Sequence, residues 1–314
     1  MDLTVKPGDD FYNYASGTWV KNNPVPAKET RWGTFNALRD FNSNAVKSVV
    51  EDAAADKSAP AGSVTKRVGD FYAAAMDSAA IEKLGYTPIK ADLTKIKQIK
   101  SLQEILDQVA YMRTSGIGGP MFGFSVGQDR KNVIKYLPQL SQGGTTLPDR
   151  DYYLLNDSRS VKIREAYNTY LNTLFTLTGS SPADAQKKAA TVMAIEKQFA
   201  EAQMSRLEMR DQYKTYNKFT VAEFSKTTPN IDWKSMLTKF KVPGQDTLLV
   251  SSPKFFVSLD GMLKSIPVAD WKTYLEWNVL KGSAGNLSSP FVKASFAFSQ
   301  AQSGQKVETP RWQR

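Results

Sequence analysis

Histidine and cysteine are both absent from the 314 residues. Without cysteine there is no disulfide, no thiolate metal site and no sulfur nucleophile. Without histidine the chain cannot build a serine–histidine triad by itself. It also lacks the ligand that supplies most catalytic zinc sites. Any chemistry of its own must run on carboxylates, lysine, tyrosine or a lysine-activated hydroxyl. No apolar run approaches the length of a bilayer span, and "MDLTVKPGDD" lacks the apolar core and basic lead-in of a signal peptide. No block of five or six like charges occurs. The 41 basic against 31 acidic residues, a net charge of +10, are scattered singly, and the densest stretch, Lys90–Lys100, reads as a solvated helix face. Nucleic-acid binding is therefore not expected. No repeat of 20–50 residues and no long Pro/Gly/Ser linker breaks the chain.

What is present is mostly helical. Trp32, Phe35, Leu38, Phe41, Val46, Val49 and Val50 recur at three- and four-residue steps, predicting one amphipathic helix over about Thr30–Ala55 that carries Arg31 and Arg39 on nearly one face. "DKSAPAGS" breaks it, and a second helix follows through Val68, Phe71, Tyr72 and Met76. Gly85, Gly116 and Gly179 read as helix stops. Ser101 with Glu104, and Thr220 with Glu223, read as capping boxes. Ser181–Pro182 opens the strongest helix. "MFGFSVG" and "NVIKYLPQL" around the polar "QDRK" predict a β-hairpin. The segment after it, Ser141–Leu154, reads as loop, and "TLLVSSP" as a short strand before a helix near Pro253. The expected fold is mainly α: one large multi-helix domain over 1–314 with a small β-hairpin. The ending "GQKVETPRWQR" has the look of a chain cut in mid-fold.

"PGDDFYNYASGTWVKNNPVPAKETRWGTFNALRD" (7–40), "LPDRDYYL" (147–154), "IEKQFAEAQMSRLEMRDQYKTYNKFTVAEF" (195–224), "SSPKFFVSL", "DWKTYLEWNVL" and the final "PRW" resemble, in order, segments of the neprilysin-like zinc metallopeptidases. This family includes neprilysin, endothelin-converting enzyme and the bacterial peptidase O group. The resemblance covers nearly the whole chain and implies the amino-terminal, helical, substrate-enclosing portion of such a metalloendopeptidase. The thermolysin-like catalytic domain, with its H-E-x-x-H helix and its zinc, would lie beyond residue 314. It implies that this chain alone is inactive and holds no cofactor. Its partners would be peptide substrates and the catalytic half of the same protein, against which residues 1–30 would pack. The parent would be bacterial and exported, either periplasmic or a cell-surface lipoprotein.

By the same resemblance Arg31 matches the arginine that receives the C-terminal carboxylate of a bound peptide, a task suited to a planar, permanently charged guanidinium. Phe35 and Arg39 are candidates for the same substrate site, although Phe35 alone would pass for a core aromatic and Arg39 for a surface ion pair. Asn36 stands where neprilysin has an aspartate, which leaves Arg31 without that anionic neighbour. In the 147–154 loop the carboxylates Asp149 and Asp151, two apart, suggest acid–base chemistry, but a loop held by Arg150 is the expected reading. Glu196 and Glu201, five apart on a helix, diverge and make no di-metal pair. The competing reading is an independent helical binding or scaffold protein without peptidase activity.

Overall fold

The computed structural model describes residues 1–314. They fold into fifteen α-helices and one four-stranded sheet. These group into two compact units, Met1–Lys83 with Phe296–Arg314, and Leu84–Ser295.

In the first unit, α1 (Phe11–Asn22) starts where the Asp10 carboxylate accepts from the Asn13 N–H at 3.0 Å. α2 (Thr34–Ala55) starts four residues later than the periodicity predicts. Gly33 is its N-cap in an extended conformation (φ −169°, ψ 176°). Trp32 satisfies the i, i+3 spacing to Phe35, but the glycine between them is a poor helix former, so Arg31 and Trp32 lie on the extended approach. The expected break holds: α2 stops at Ala55, and α3 (Val64–Met76) begins after Ser63, whose hydroxyl accepts from the Lys66 N–H. The two helices touch at Gly69, where an added Cβ would sit 2.4 Å from the Ala53 carbonyl oxygen. Gly69 is also the only buried residue in α1, α2 and α3.

α4 (Ser78–Leu84) ends on Gly85, whose φ of +57° is the left-handed stop read from the sequence. The second unit continues through α5 (Lys90–Gln98), α6 (Leu102–Thr114), strands β1 (Phe122–Asp129) and β2 (Asn132–Gln142), α7 (Asp151–Leu154), α8 (Ser158–Leu177), α9 (Pro182–Ala202) and α10 (Arg206–Met209). Then come β3 (Asn217–Thr220), α11 (Val221–Thr227), α12 (Trp233–Lys239), β4 (Thr247–Val250), α13 (Pro253–Ser265) and α14 (Val268–Ser283); α15 spans Ser289–Ser303. The Thr220–Glu223 capping box forms in full. At α6 the Ser101 hydroxyl accepts from the Glu104 N–H, but the Glu104 carboxylate reaches the N–H of Lys100 instead of Ser101, so the box is displaced by one residue.

The hairpin is there, but it is half of a sheet ordered β1-β2-β4-β3. β4 lies parallel to β2 and pairs antiparallel with β3. Ser141 and Gln142 extend β2, and Asp151–Leu154 forms a helical turn, so the segment expected as loop is shorter at both ends. Against the sheet lies an aromatic core. Phe122 meets Trp233 and Phe256 edge-on at ring separations of 5.5 and 5.6 Å, and all three are fully buried.

One polar cluster is sunk into this unit. Glu196 of α9 is fully buried. It accepts from the hydroxyls of Thr146 (2.7 Å), Tyr153 (2.6 Å) and Tyr167 (2.9 Å). Trp277 Nε1 and Lys281 Nζ of α14 each donate to Thr146 Oγ1 at 3.0 Å. Burial, then the Glu196 charge, push the Tyr153 and Tyr167 hydroxyls well above the usual phenol range. Burial pulls the Lys281 ammonium down, with Glu196 opposing it. Thus α8 and α9 meet the loop between β2 and α7 at the Glu196 carboxylate, and α14 joins them through Thr146.

Candidate functional site

The four residues singled out in the sequence separate into two groups. Phe35 and Arg39, one turn apart on α2, line a groove of about 950 Å³ between α2, α3 and the closing segment Arg311–Arg314. Its floor is apolar, with Leu38, Val46, Val68 and Phe71 along it. Arg31 and Asn36 are not in that groove. Arg31 lies before the helix, exposed, so the expectation of two arginines on one helix face is corrected. Asn36 sits in the first turn, half-exposed, with its N–H donated to Gly33 O at 2.9 Å.

Phe35 is no core aromatic in this chain: it is 89% exposed. Arg39 is indeed an ion pair. Its main partner is Glu29, on the extended approach, while Asp40 stands 3.9 Å away. Asp40 is held by Lys28 at 3.0 Å. The charges around α2's start therefore cancel in two pairs, Lys28–Asp40 and Arg39–Glu29. Arg31 is left over, with no hydrogen bond or ion pair to any side chain. An exposed guanidinium with five unused donors, in a segment whose neighbours are already neutralised, has the chemistry to accept an anion.

Sequence reasoning found the α3 wall through Val68 and Phe71 but missed the third, Arg311–Arg314. Arg67 of α3 and Arg311 stand on its rim without an acidic partner. Trp312 lies under the Lys47 ammonium at 5.3 Å. Heptad-like spacing marked the apolar faces of α2 and α3, but no local signal could tie Arg311 and Trp312 to helices more than two hundred residues earlier. In the second unit Arg150 does hold its loop, donating to the Gln203 carbonyl, and Asp149 pairs with Arg206. Glu201 is exposed beside Lys197 and points away from buried Glu196. No three histidine, cysteine, aspartate or glutamate side chains gather where they could hold a metal, so the residues of this chain do not fit a zinc ion.

Comparison with known proteins places these features in a lineage. The family model described as peptidase family M13, amino-terminal part, matches residues 7–314. Endothelin-converting enzyme 1 of Rattus norvegicus is 29% identical over 99% of this chain and 42% of its own length. Neprilysin-3 of Drosophila melanogaster is 27% identical over 94% of this chain and 40% of its own. Among solved structures, the zinc metalloprotease Zmp1 of Mycobacterium tuberculosis in complex with an inhibitor superposes with a TM-score of 0.91 at 27% identity, covering 100% of this chain and 48% of that one. The chain thus spans less than half the length of the relatives it matches.

Proposed function

This chain belongs to peptidase family M13, and from that premise we propose that it is the non-catalytic, amino-terminal part of a zinc metalloendopeptidase. In this reading it encloses the chamber in which peptides are cut and receives their C-terminal carboxylate at Arg31. The zinc and the groups that activate water belong to the remaining polypeptide. The residues described above bind, orient and enclose, and the chain on its own is inert. The parent is placed in a bacterium, exported to the periplasm or held at the cell surface as a lipoprotein.

The observation that carries the reading is the contrast in burial. Leu84–Ser295 has a closed aromatic core, whereas α2 and α3 leave Phe35, Phe41, Val46, Val49, Val64 and Phe71 between 62% and 89% exposed. Faces of that size and apolarity are built to be covered. The remaining polypeptide of a family M13 peptidase is the cover proposed here. Residues 1–30 join that contact surface, with Phe11 and Tyr12 exposed on α1.

Two measurements test the reading. Cleavage of a fluorogenic peptide by the purified chain with added zinc, sensitive to chelator, would disprove that it is inert. In the full-length parent, Arg31→Ala is expected to weaken peptides with a free C-terminal carboxylate by about 1.5–3 kcal/mol, the scale of a hydrogen bond to a charged group. Amidated peptides should lose little. Because the contact is remote from the reacting bond, the change should fall mainly on KM. Equal losses for acid and amide substrates would make Arg31 a structural residue.

A further inference from the structure

A second cavity, unused by the reading above, lies within Leu84–Ser295. It has a volume of about 270 Å³, between the loop after β2 and the segment that carries α10. Three arginines line it, Arg150, Arg206 and Arg210. They reach it from separate stretches of chain. Arg150 closes the loop ahead of α7, Arg206 opens α10, and Arg210 follows it.

The walls are tied to one another by hydrogen bonds that need no ligand. The Gln142 side chain donates to the Met204 carbonyl at 2.9 Å and accepts from the Met204 N–H at 2.8 Å. The Gln203 amide donates to the Gly143 carbonyl at 2.9 Å. Arg150 donates to the Gln203 carbonyl, and Arg206 to the Pro148 carbonyl at 3.4 Å. A cavity held in this way has its shape before anything enters, which spares a ligand the cost of ordering it.

Its charge is unbalanced. Asp149 is the only carboxylate in the lining, and it is engaged: it pairs with Arg206 and accepts from the Asp151 N–H at 2.8 Å. Glu208 of α10 is bound into its capping box, accepting from the Ser205 N–H and hydroxyl at 2.8 Å each. Asp211 accepts from the backbone of Tyr213 and Lys214. The Arg210 guanidinium is exposed and has neither a hydrogen bond nor an ion pair. Three guanidiniums against one carboxylate leave two positive charges facing one cavity.

That surplus names the ligand class. A planar carboxylate is a monoanion, and a single guanidinium fork satisfies it in one plane. Forks that arrive from three stretches of chain, with two charges to spare, match a tetrahedral dianion. A phosphoryl group brings a charge of about −1.5 to −2 at neutral pH and three strong acceptor oxygens. We propose that this cavity is a receptor for a phosphoryl dianion, with Arg210 as the uncommitted donor and Arg150 and Arg206 completing the cradle. The proposal does not depend on the peptidase reading, whose Arg31 belongs to the other unit.

The test is isothermal titration calorimetry of the full chain, in a buffer free of other polyvalent anions, with inorganic phosphate, O-phosphoserine and acetate. One site should take up phosphate or phosphoserine, and acetate should not bind. Binding of phosphoserine, alone or with phosphate, opens the cavity to phosphorylated molecules; binding of inorganic phosphate alone confines it to the free anion. Phosphoserine affinity should rise with pH through about 6, where the second proton leaves. Arg210→Gln should weaken binding about ten- to a hundredfold, the scale of one hydrogen bond between charged groups. That side chain has no partner to lose, and circular dichroism confirms that the fold survives. Arg159→Gln, which removes the same charge from the exposed start of α8, should leave binding unchanged. No binding of either phosphate, equally tight binding of acetate, undiminished binding by Arg210→Gln, or equal losses through Arg159→Gln and Arg210→Gln overturns the proposal.

Discussion

Replacing Glu196 by alanine should lower the unfolding free energy of the chain by about 3–5 kcal/mol, the scale of leaving a buried charge network without its central partner. The magnitude follows from what the change strands. Three hydroxyls, on Thr146, Tyr153 and Tyr167, lose their acceptor, and Lys281 loses the charge that offsets its burial. Each buried polar group left unpaired costs about 1–3 kcal/mol, with some recovery by water entering the gap. Glu196→Gln keeps the shape and one acceptor oxygen, so it should cost distinctly less. Urea titration followed by tryptophan fluorescence reads both variants, since Trp277 donates into the same cluster. A loss below 1 kcal/mol for the alanine variant would show that the network is slack and that the surrounding apolar packing carries the unit.

The second expected result is all-or-none. A fragment of Leu84–Ser295 should fold by itself, with a cooperative urea transition and the near-ultraviolet dichroism of ordered aromatics. Met1–Lys83 should show neither. The fragment contains every fully buried tryptophan of the chain, Trp233, Trp271 and Trp277, and the sheet against which Trp233 packs. Met1–Lys83 contains one buried residue, and it is a glycine. Two of its three main helices, α1 and α3, have side-chain caps, but caps contribute only about 1 kcal/mol each. That does not offset the conformational entropy of some eighty residues without apolar burial. A cooperative, dye-excluding Met1–Lys83 would refute the account of its helices as an uncovered face.

These two results also mark how far the sequence could be read. Helices announced themselves wherever an apolar period met a cap: α9 at Ser181–Pro182 and α11 at Thr220–Glu223 begin where the residues say. The hairpin was equally local. β3 was not foreseen, because a four-residue strand gains its identity from β4, about thirty residues later, and only Phe219 hints at it. The early start assigned to α2 arose from Trp32, whose spacing to Phe35 imitates a helix that Gly33 does not form. The same spacing implied a buried Phe35. Periodicity identifies a face that wants to be covered but cannot say whether the cover is in hand. At the candidate site, Arg31 was legible by resemblance alone. Its isolation depends on Glu29 taking Arg39 and Lys28 taking Asp40, pairings across a non-helical approach that no i, i+4 rule contains.

The groove between α2, α3 and Arg311–Arg314 carries a consequence in time. Its first two walls leave the ribosome by Met76, while the third comes about 230 residues later, and at 5–20 residues per second that interval is roughly ten to fifty seconds. Throughout it, Leu84–Ser295 can finish its own core, since all of that core is contiguous in the chain. The α2–α3 pair meanwhile lacks Arg311 and Trp312 along its groove, and Val46, Val64 and Phe71 stay bare even after they arrive. Such a nascent chain offers a prolonged target to chaperones that bind exposed apolar segments. The order of synthesis itself keeps this groove one wall short until Arg311–Arg314 has been made.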